Sequence, residues 1–240
     1  MDILEANGSV NFGSNKAYRA MLKKIKAGSP ATNPDDLQYI LDNVDVDNLF
    51  EYMALEMFVG NSDIGNIRYY RLHQEGSKWK WIWYDADYGL YSSKFNSPWS
   101  YLKVKGMGEQ KIDNTIFLKL LEHPDYKRKF LEKLADVYKT FTTEYMTQVL
   151  DGVLAEIQPE MKNHWERWGE LNDKAVTSEV PTTIDGAYTY WESRVNRLYN
   201  TLKVRPHRLW DFIKDEFKLT KTEMEELFGP QPDYPDDAVL

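Results

Sequence analysis

Two different periods of apolar and polar residues run along this chain, and the places where one gives way to the other divide it. From Asn15 to Lys26 the apolar residues Ala17, Met21, Leu22 and Ile25 recur at helical spacing, which predicts an amphipathic helix. Residues 34–60 predict two more, the first opened by Pro34 and the second capped by Asp45 or Asp47. That second helix carries Leu49, Phe50, Tyr52, Met53, Leu55, Met57, Phe58 and Val59 and is apolar nearly all round, the pattern of a helix buried in a core. The period then drops to two. Ile67, Tyr69 and Arg71 alternate with Arg68, Tyr70 and Leu72, and Trp79, Trp81 and Trp83 alternate with Lys78, Lys80 and Ile82. With a polar turn holding Gly76 between them, these runs predict a two-stranded hairpin at about 67–72 and 78–84.

From Asn114 onward helical spacing returns, over roughly 115–122, 125–141, 143–168, 185–203, 206–217 and 220–228. Thr143 and Asp185 are candidate caps, and Pro159 is expected to kink or divide the third of these segments. Met1 to Ser14 reads as a short, polar, glycine-bearing lead-in, Leu90 to Gln110 as a long loop, and Gly169 to Ile184 as a polar connection. The proline-rich stretch 229–235 reads as a linker. The expected class is therefore mainly α with a small β-hairpin (α+β), with a domain over 1–228 and a tail over 229–240.

Composition narrows the function classes. Net charge is −8 and no long Lys/Arg run occurs, so nucleic acid is not an expected partner. No apolar run approaches the roughly 20 residues that span a bilayer, and no basic, apolar leader is present. The absence of cysteine removes disulfides, zinc-thiolate sites and thiol nucleophiles. His73, His123, His164 and His207 lack the i, i+4 spacing of a helical metal pair, which points to surface or capping roles. Eight Trp and 16 Tyr suit either a large-residue core or a surface for a sugar or a protein partner.

The candidate chemistry sits in residues 57–89. Asp63 and Asn66 occupy a short glycine-bearing loop after the apolar helix, and the second strand runs into Tyr84-Asp85-Ala86-Asp87-Tyr88-Gly89. A hairpin returns the chain to its origin, so Asp85 and Asp87 are expected near Asp63 and Asn66. Three carboxylates and an amide would then surround a space able to hold a divalent cation bound to phosphate. The same residues also suit ordinary turn and cap roles, and an Asp-x-Asp sequence by itself decides nothing.

This region resembles the central signature of the CotH kinase family, atypical protein kinases named for a bacterial spore-coat protein. Its elements are the loop Asn61-Ser62-Asp63 with Asn66, the tyrosine-rich strand, Trp79-Lys80-Trp81-Ile82, and Tyr84-Asp85-Ala86-Asp87-Tyr88-Gly89. Thr115 to Leu121, His123 to Phe130, and Glu160 through Gly169 resemble the family's helical C-terminal half. The resemblance implies a protein-kinase-like C-terminal lobe that uses ATP with Mg²⁺ or Mn²⁺. It implies Asp63 as catalytic base, Asn66 and Asp85 as nucleotide- and metal-binding residues, and Asp87 as a further metal ligand or a brace for Asp85. It also implies a Ser/Thr-bearing protein substrate at a spore coat or cell surface. One departure stands out: Asn66 lies three residues after Asp63, whereas the corresponding pair of ordinary protein kinases is five apart.

A kinase fold also needs strands carrying a glycine-rich phosphate cover and a Lys paired with a helix Glu. Nothing before residue 57 reads that way, so the expectation is the second lobe of a longer protein, whose isolated chain transfers phosphate poorly or not at all. In the same reading residues 90–110 correspond to an activation or substrate-facing segment; alternatively they form a packed loop anchored by Phe95, Trp99 and Tyr101. Two other functions fit less closely: a non-catalytic surface or adhesion module of the same fold, and a nucleotide-sugar glycosyltransferase with Asp85-Ala86-Asp87 at its metal.

Overall fold

The period-two stretch folds as predicted, and the sheet is larger than the hairpin. The structure is a computed structural model that describes residues 1–103, 112–168, 181 and 183–236. It places β1 (Asp2–Glu5) and β2 (Ser9–Phe12) beside β3 (Arg68–Arg71) and β4 (Lys80–Ile82), in one antiparallel sheet of order β2-β1-β3-β4. The polar lead-in is thus a hairpin that pairs with the edge of β3. Its turn contains Asn7 and Gly8, both at positive φ, the residue pair that primed hairpin turns demand. The alternation of Ile3 and Leu4 is too short to signal a strand; β3 supplies the missing partner. Leu4, Tyr69 and Trp81 stand side by side across three strands and all are buried.

Trp79 and Trp81 enter the core as the alternation predicts, while Trp83 is 44% exposed because β4 ends at Ile82. Trp79 leaves the β3 ladder to pair with the chain after the second helix: its N–H donates to the Asn43 carbonyl at 2.8 Å and its carbonyl accepts from Asp45 at 3.0 Å.

The helices follow the predicted spacing closely. They are α1 (Lys16–Ala27), α2 (Pro34–Asn43), α3 (Val46–Val59), α4 (Ser97–Tyr101), α5 (Thr115–Leu121), α6 (Pro124–Thr140), α7 (Thr143–Ile157), α8 (Met161–Trp168), α9 (Ile184–Phe217) and α10 (Lys221–Phe228). Asn33 caps α2 ahead of Pro34, Asp45 caps α3, and the His123 ring caps α6 ahead of Pro124. Thr142 and Thr183, rather than Thr143 and Asp185, cap α7 and α9. A short 3₁₀ turn at Gln158–Glu160 divides α7 from α8 at Pro159. Helix α3 is the centre of the core: Phe50 meets Phe117 of α5 and Phe130 of α6 in edge-on contacts of 6.1 and 5.4 Å. On the sheet side Tyr18 of α1 packs on Tyr69 and Trp79.

Three expectations are corrected. The break between 203 and 206 does not occur, since α9 runs unbroken through Pro206. A proline removes the N–H that would bond the carbonyl four residues back, here Leu202, and that carbonyl accepts the Thr143 hydroxyl of α7 at 3.0 Å. The loop after Gly89 contains α4, with Tyr101 buried and Trp99 at the surface. The tail, expected as a linker, lies over 229–236 against α9: Trp210 Nε1 donates to the Gly229 carbonyl, the His207 ring bonds the Pro232 carbonyl, and Arg208 covers Tyr234. The rest of the expected loop (104–110), most of the connection 169–184, and residues 237–240 lie outside the described residues. Among the described residues no helix is long and apolar enough to cross a membrane.

Candidate functional site

The candidate site is built on the C-terminal end of α3. A helix end leaves carbonyls without partners, and here a buried arginine takes them. Arg205 of α9 donates to the carbonyls of Met57 (3.0 Å) and Phe58 (3.3 Å), to the Phe95 carbonyl (2.5 Å) and to Ser97 Oγ (2.6 Å). Burial pulls its guanidinium down to about 9, which leaves it charged at neutral pH, where a cation also suits the negative end of the helix dipole. Gly60 ends α3 in the left-handed region, and a Cβ there would sit 2.7 Å from Arg205 Nη2. The departure point of the 61–66 loop is therefore fixed from below.

A second buried group fixes the loop from the side. Glu56, 1% exposed on the last turn of α3, lies 2.8 Å from the Tyr101 hydroxyl of α4 and is also hydrogen-bonded by the side chains of Asn61, Tyr52 and Trp83. Burial pushes its carboxyl above the usual range, and the four donors oppose that rise. Through these bonds Glu56 ties α3, the 61–66 loop, the end of β4 and α4 to one point.

The loop then closes on itself. The Asn61 side chain accepts from the Asp63 N–H at 3.0 Å, and the Asp63 carbonyl accepts from the Asn66 N–H at 3.1 Å. Asn66 is the meeting point with the second half of the motif: its amide donates to Asp85 Oδ2 at 2.5 Å, and its oxygen accepts the Tyr84 hydroxyl at 2.6 Å. Arg68 lies over the Tyr84 ring at 4.9 Å and donates to Glu5 at 3.0 Å, so β1 also braces the site. Burial raises the Tyr84 hydroxyl, and after the opposing effect of Arg68 the nearby carboxylates of Glu5, Asp85 and Asp63 raise it further. Tyr84 therefore remains a protonated donor within the field of both Asp63 and Asp85.

The Asp85 backbone is left-handed, with φ 54, a conformation that costs most residues roughly 1–2 kcal/mol and that Asp tolerates better than most. The rest of the turn docks on α3. Gly89 N–H bonds the Ala86 carbonyl, Leu90 N–H bonds the Val59 carbonyl at 2.6 Å, and a Cβ on Gly89 would meet both the Ala86 oxygen and the Val59 side chain. Asp63 keeps one carboxylate oxygen, Oδ1, buried and without a hydrogen-bond partner among the described residues. Such an atom costs about 1–3 kcal/mol if nothing ever bonds it.

Of the four residues singled out in the sequence, the structure hydrogen-bonds Asn66 to Asp85 and leaves Asp63 close enough for its charge to act on Tyr84. The expected ring of three carboxylates does not form. Among the described residues no three carboxylates or imidazoles stand together as a metal site; Asp85 turns to the Asn66 amide, and Asp87 is exposed. Sequence reasoning missed Glu56, Tyr84 and Arg205. Glu56 carried one signal, an acid in the last turn of an otherwise apolar helix; Arg205 carried none, because its partners lie over 100 residues away.

This arrangement, an acid-bearing loop joined by hydrogen bonds to an Asp-x-Asp turn at the end of a hairpin, lies within a stretch that matches a known family. A family model described as CotH kinase protein matches residues 5–209. The chain belongs to the CotH kinase family. The matched span of this CotH chain runs from β1 into α9 and includes every residue of the site, Arg205 among them, and it ends before α10. Comparison with curated proteins and with solved structures finds no significant match.

Proposed function

We propose that this CotH-family chain is the catalytic, C-terminal-lobe part of an atypical protein kinase that transfers the γ-phosphoryl group of ATP to Ser or Thr of a coat or surface protein. The observation that carries the reading is the buried Oδ1 of Asp63, without a partner among the described residues, beside the Asn66–Asp85 pair. Phosphoryl transfer asks the protein mainly for positioning and charge, and this site supplies a half-buried acid with one oxygen that no donor among the described residues satisfies. The order of helix, acid-bearing loop, hairpin and Asp-x-Asp-x-Gly turn supports the kinase-like lobe.

Asp85 and Asn66 fit a hard divalent cation such as Mg²⁺ or Mn²⁺, since both offer oxygen and Asp85 keeps a second carboxylate oxygen beyond its bond to Asn66. When bound, such a cation neutralises triphosphate charge. Asp87, exposed one residue beyond Ala86, is a second candidate ligand. Asp63 orients the acceptor hydroxyl and takes its proton at the carboxylate. Tyr84, held protonated, donates to Asn66 and keeps that amide pointed at Asp85. Glu56 and Arg205 position the loop and touch no reacting atom.

A second reading, a non-catalytic surface module of the same fold, draws support from the exposed aromatics Trp83, Tyr88 and Tyr91 next to the site. The deciding experiment is transfer of radiolabelled γ-phosphate to a Ser-rich protein by the full product of the gene and by its Asp63→Asn variant. The kinase reading expects transfer that falls by several orders of magnitude in the variant with folding unchanged. Equal incorporation by both proteins removes Asp63 from its role, and no incorporation by either favours the surface module.

A further inference from the structure

Just past the Asp85 turn, residues 91–94 and the middle of α9 face each other across an open cavity of about 550 Å³, within the roughly 300–1,000 Å³ of small-ligand sites. From α9 the lining residues are Ser193, Asn196, Arg197, Asn200 and Thr201. Their spacing of i, i+3, i+4, i+7 and i+8 puts them on one helix face. A helix face turned toward another segment of its own chain is normally apolar; this one carries hydroxyls, amides and a guanidinium.

The opposite wall matches it. Ser92, Ser93 and Lys94 line the loop side, with the Lys94 N–H bonded to Ser92 Oγ at 3.2 Å. Arg197 is held against the Tyr91 ring at 4.5 Å, which fixes the guanidinium at the cavity wall. Among the described residues no carboxylate lines the cavity, and neither Lys94 nor Arg197 forms an ion pair. In a chain of net charge −8, two cations facing one cavity with hydroxyl donors around them make a local field that attracts anions.

The loop is anchored on both sides of this wall. Leu90 N–H is tied to the Val59 carbonyl, and Arg205 holds the Phe95 carbonyl, so residues 91–94 are suspended between two fixed points. A tetrahedral dianion answers this donor set, because a guanidinium fork, an ammonium and several hydroxyls match its oxygens in number and charge. A lone phosphate fills only part of 550 Å³, so there is room for the group that carries it.

We propose that the cavity between residues 91–94 and α9 binds a phosphoryl dianion, as a phosphomonoester such as a phosphorylated side chain or as free phosphate, gripped by Arg197 and Lys94. The site is separate from the Asp63–Asp85 centre and stands whether or not that centre transfers phosphate.

Calorimetric titration of the 240-residue chain with O-phosphoserine, inorganic phosphate and unphosphorylated N-acetylserine tests it. The expected result is binding of the two phosphate probes and none of N-acetylserine, weakened at least tenfold by Arg197→Ala and by Lys94→Ala and unchanged by Lys78→Ala, which removes the same charge elsewhere. Tighter binding of phosphoserine assigns the cavity to a phosphorylated residue; equal binding assigns it to free phosphate. Asp85→Asn should leave both affinities unchanged. Thermal unfolding of each variant checks that these exposed substitutions leave the fold intact. No heat from either phosphate probe, equal loss in Lys78→Ala, or loss in Asp85→Asn matching that in Arg197→Ala overturns the proposal.

Discussion

The side-chain amide of Asn66 donates to the carboxylate of Asp85 at 2.5 Å across 19 residues of sequence, and together with the Tyr84 hydroxyl that the Asn66 oxygen accepts this bond joins the two halves of the CotH motif. It also orients the one carboxylate best placed for a hard cation. Asp85→Asn preserves a residue type that tolerates φ 54 and removes the charge. The expected outcome is loss of Mn²⁺ binding by calorimetry with little change in unfolding midpoint. Undiminished heat in the variant places the cation elsewhere.

Arg205 satisfies three main-chain carbonyls and Ser97 from a fully buried position. Arg205→Ala takes the Arg donor from the Phe58 carbonyl and one of two donors from the Met57 and Phe95 carbonyls, which Ser97 still bonds through its hydroxyl and N–H. With about 1–3 kcal/mol for a buried group left short and the gap left by a fully buried side chain, a loss on the order of 3 kcal/mol is expected in urea unfolding. Gly60→Ala should be destabilising too, since it combines a left-handed backbone with a Cβ 2.7 Å from the guanidinium. A loss below about 1 kcal/mol for Arg205→Ala means that water replaces the guanidinium.

Thr143 and Pro206 explain each other. The hydroxyl of Thr143 bonds the Leu202 carbonyl that Pro206 leaves open. Thr143→Val keeps the shape and removes the donor, with an expected cost of about 1 kcal/mol. Replacing Pro206 by Ala in that background should recover much of it, because the helix then supplies its own N–H. Additive effects in the double-mutant cycle refute the link.

Glu56 predicts a pH dependence. Burial raises its carboxyl above the ordinary 4.5, against hydrogen bonds from Tyr101, Asn61, Tyr52 and Trp83. The folded protein therefore holds that proton more tightly than the unfolded chain. Its stabilisation is complete below pH 4.5 and is lost as pH rises through the higher folded value. Glu56→Gln cannot titrate there, so the stability of the native protein relative to this variant should fall as pH rises from 4 toward neutrality. Urea unfolding across that range measures the difference, and a flat difference contradicts the burial argument.

Much of this molecule was legible in the sequence because its causes are local. Helical spacing set α1 to α3 and α5 to α8, Pro34, Asp45 and Pro159 marked ends and breaks within a residue or two, and alternating Tyr and Trp gave the β3–β4 hairpin. The motif from Asn61 to Gly89 was legible for the same reason: its residues lie close in sequence and the hairpin brings its ends together. What the tertiary structure decided depends on partners far along the chain. β1 and β2 become strands because β3 offers an unpaired edge, and α9 continues through Pro206 because Thr143 comes from another helix. Asp85 meets Asn66 rather than Asp63 and Asp87 because the Asn66 amide offers its carboxylate a donor, whereas two further carboxylates would repel it. Glu56 and Arg205 are tolerated in the interior only because folding gathers their hydrogen-bond partners from separate segments, and a polar group's burial cannot be read from its own neighbours when the groups that satisfy it are supplied by the fold.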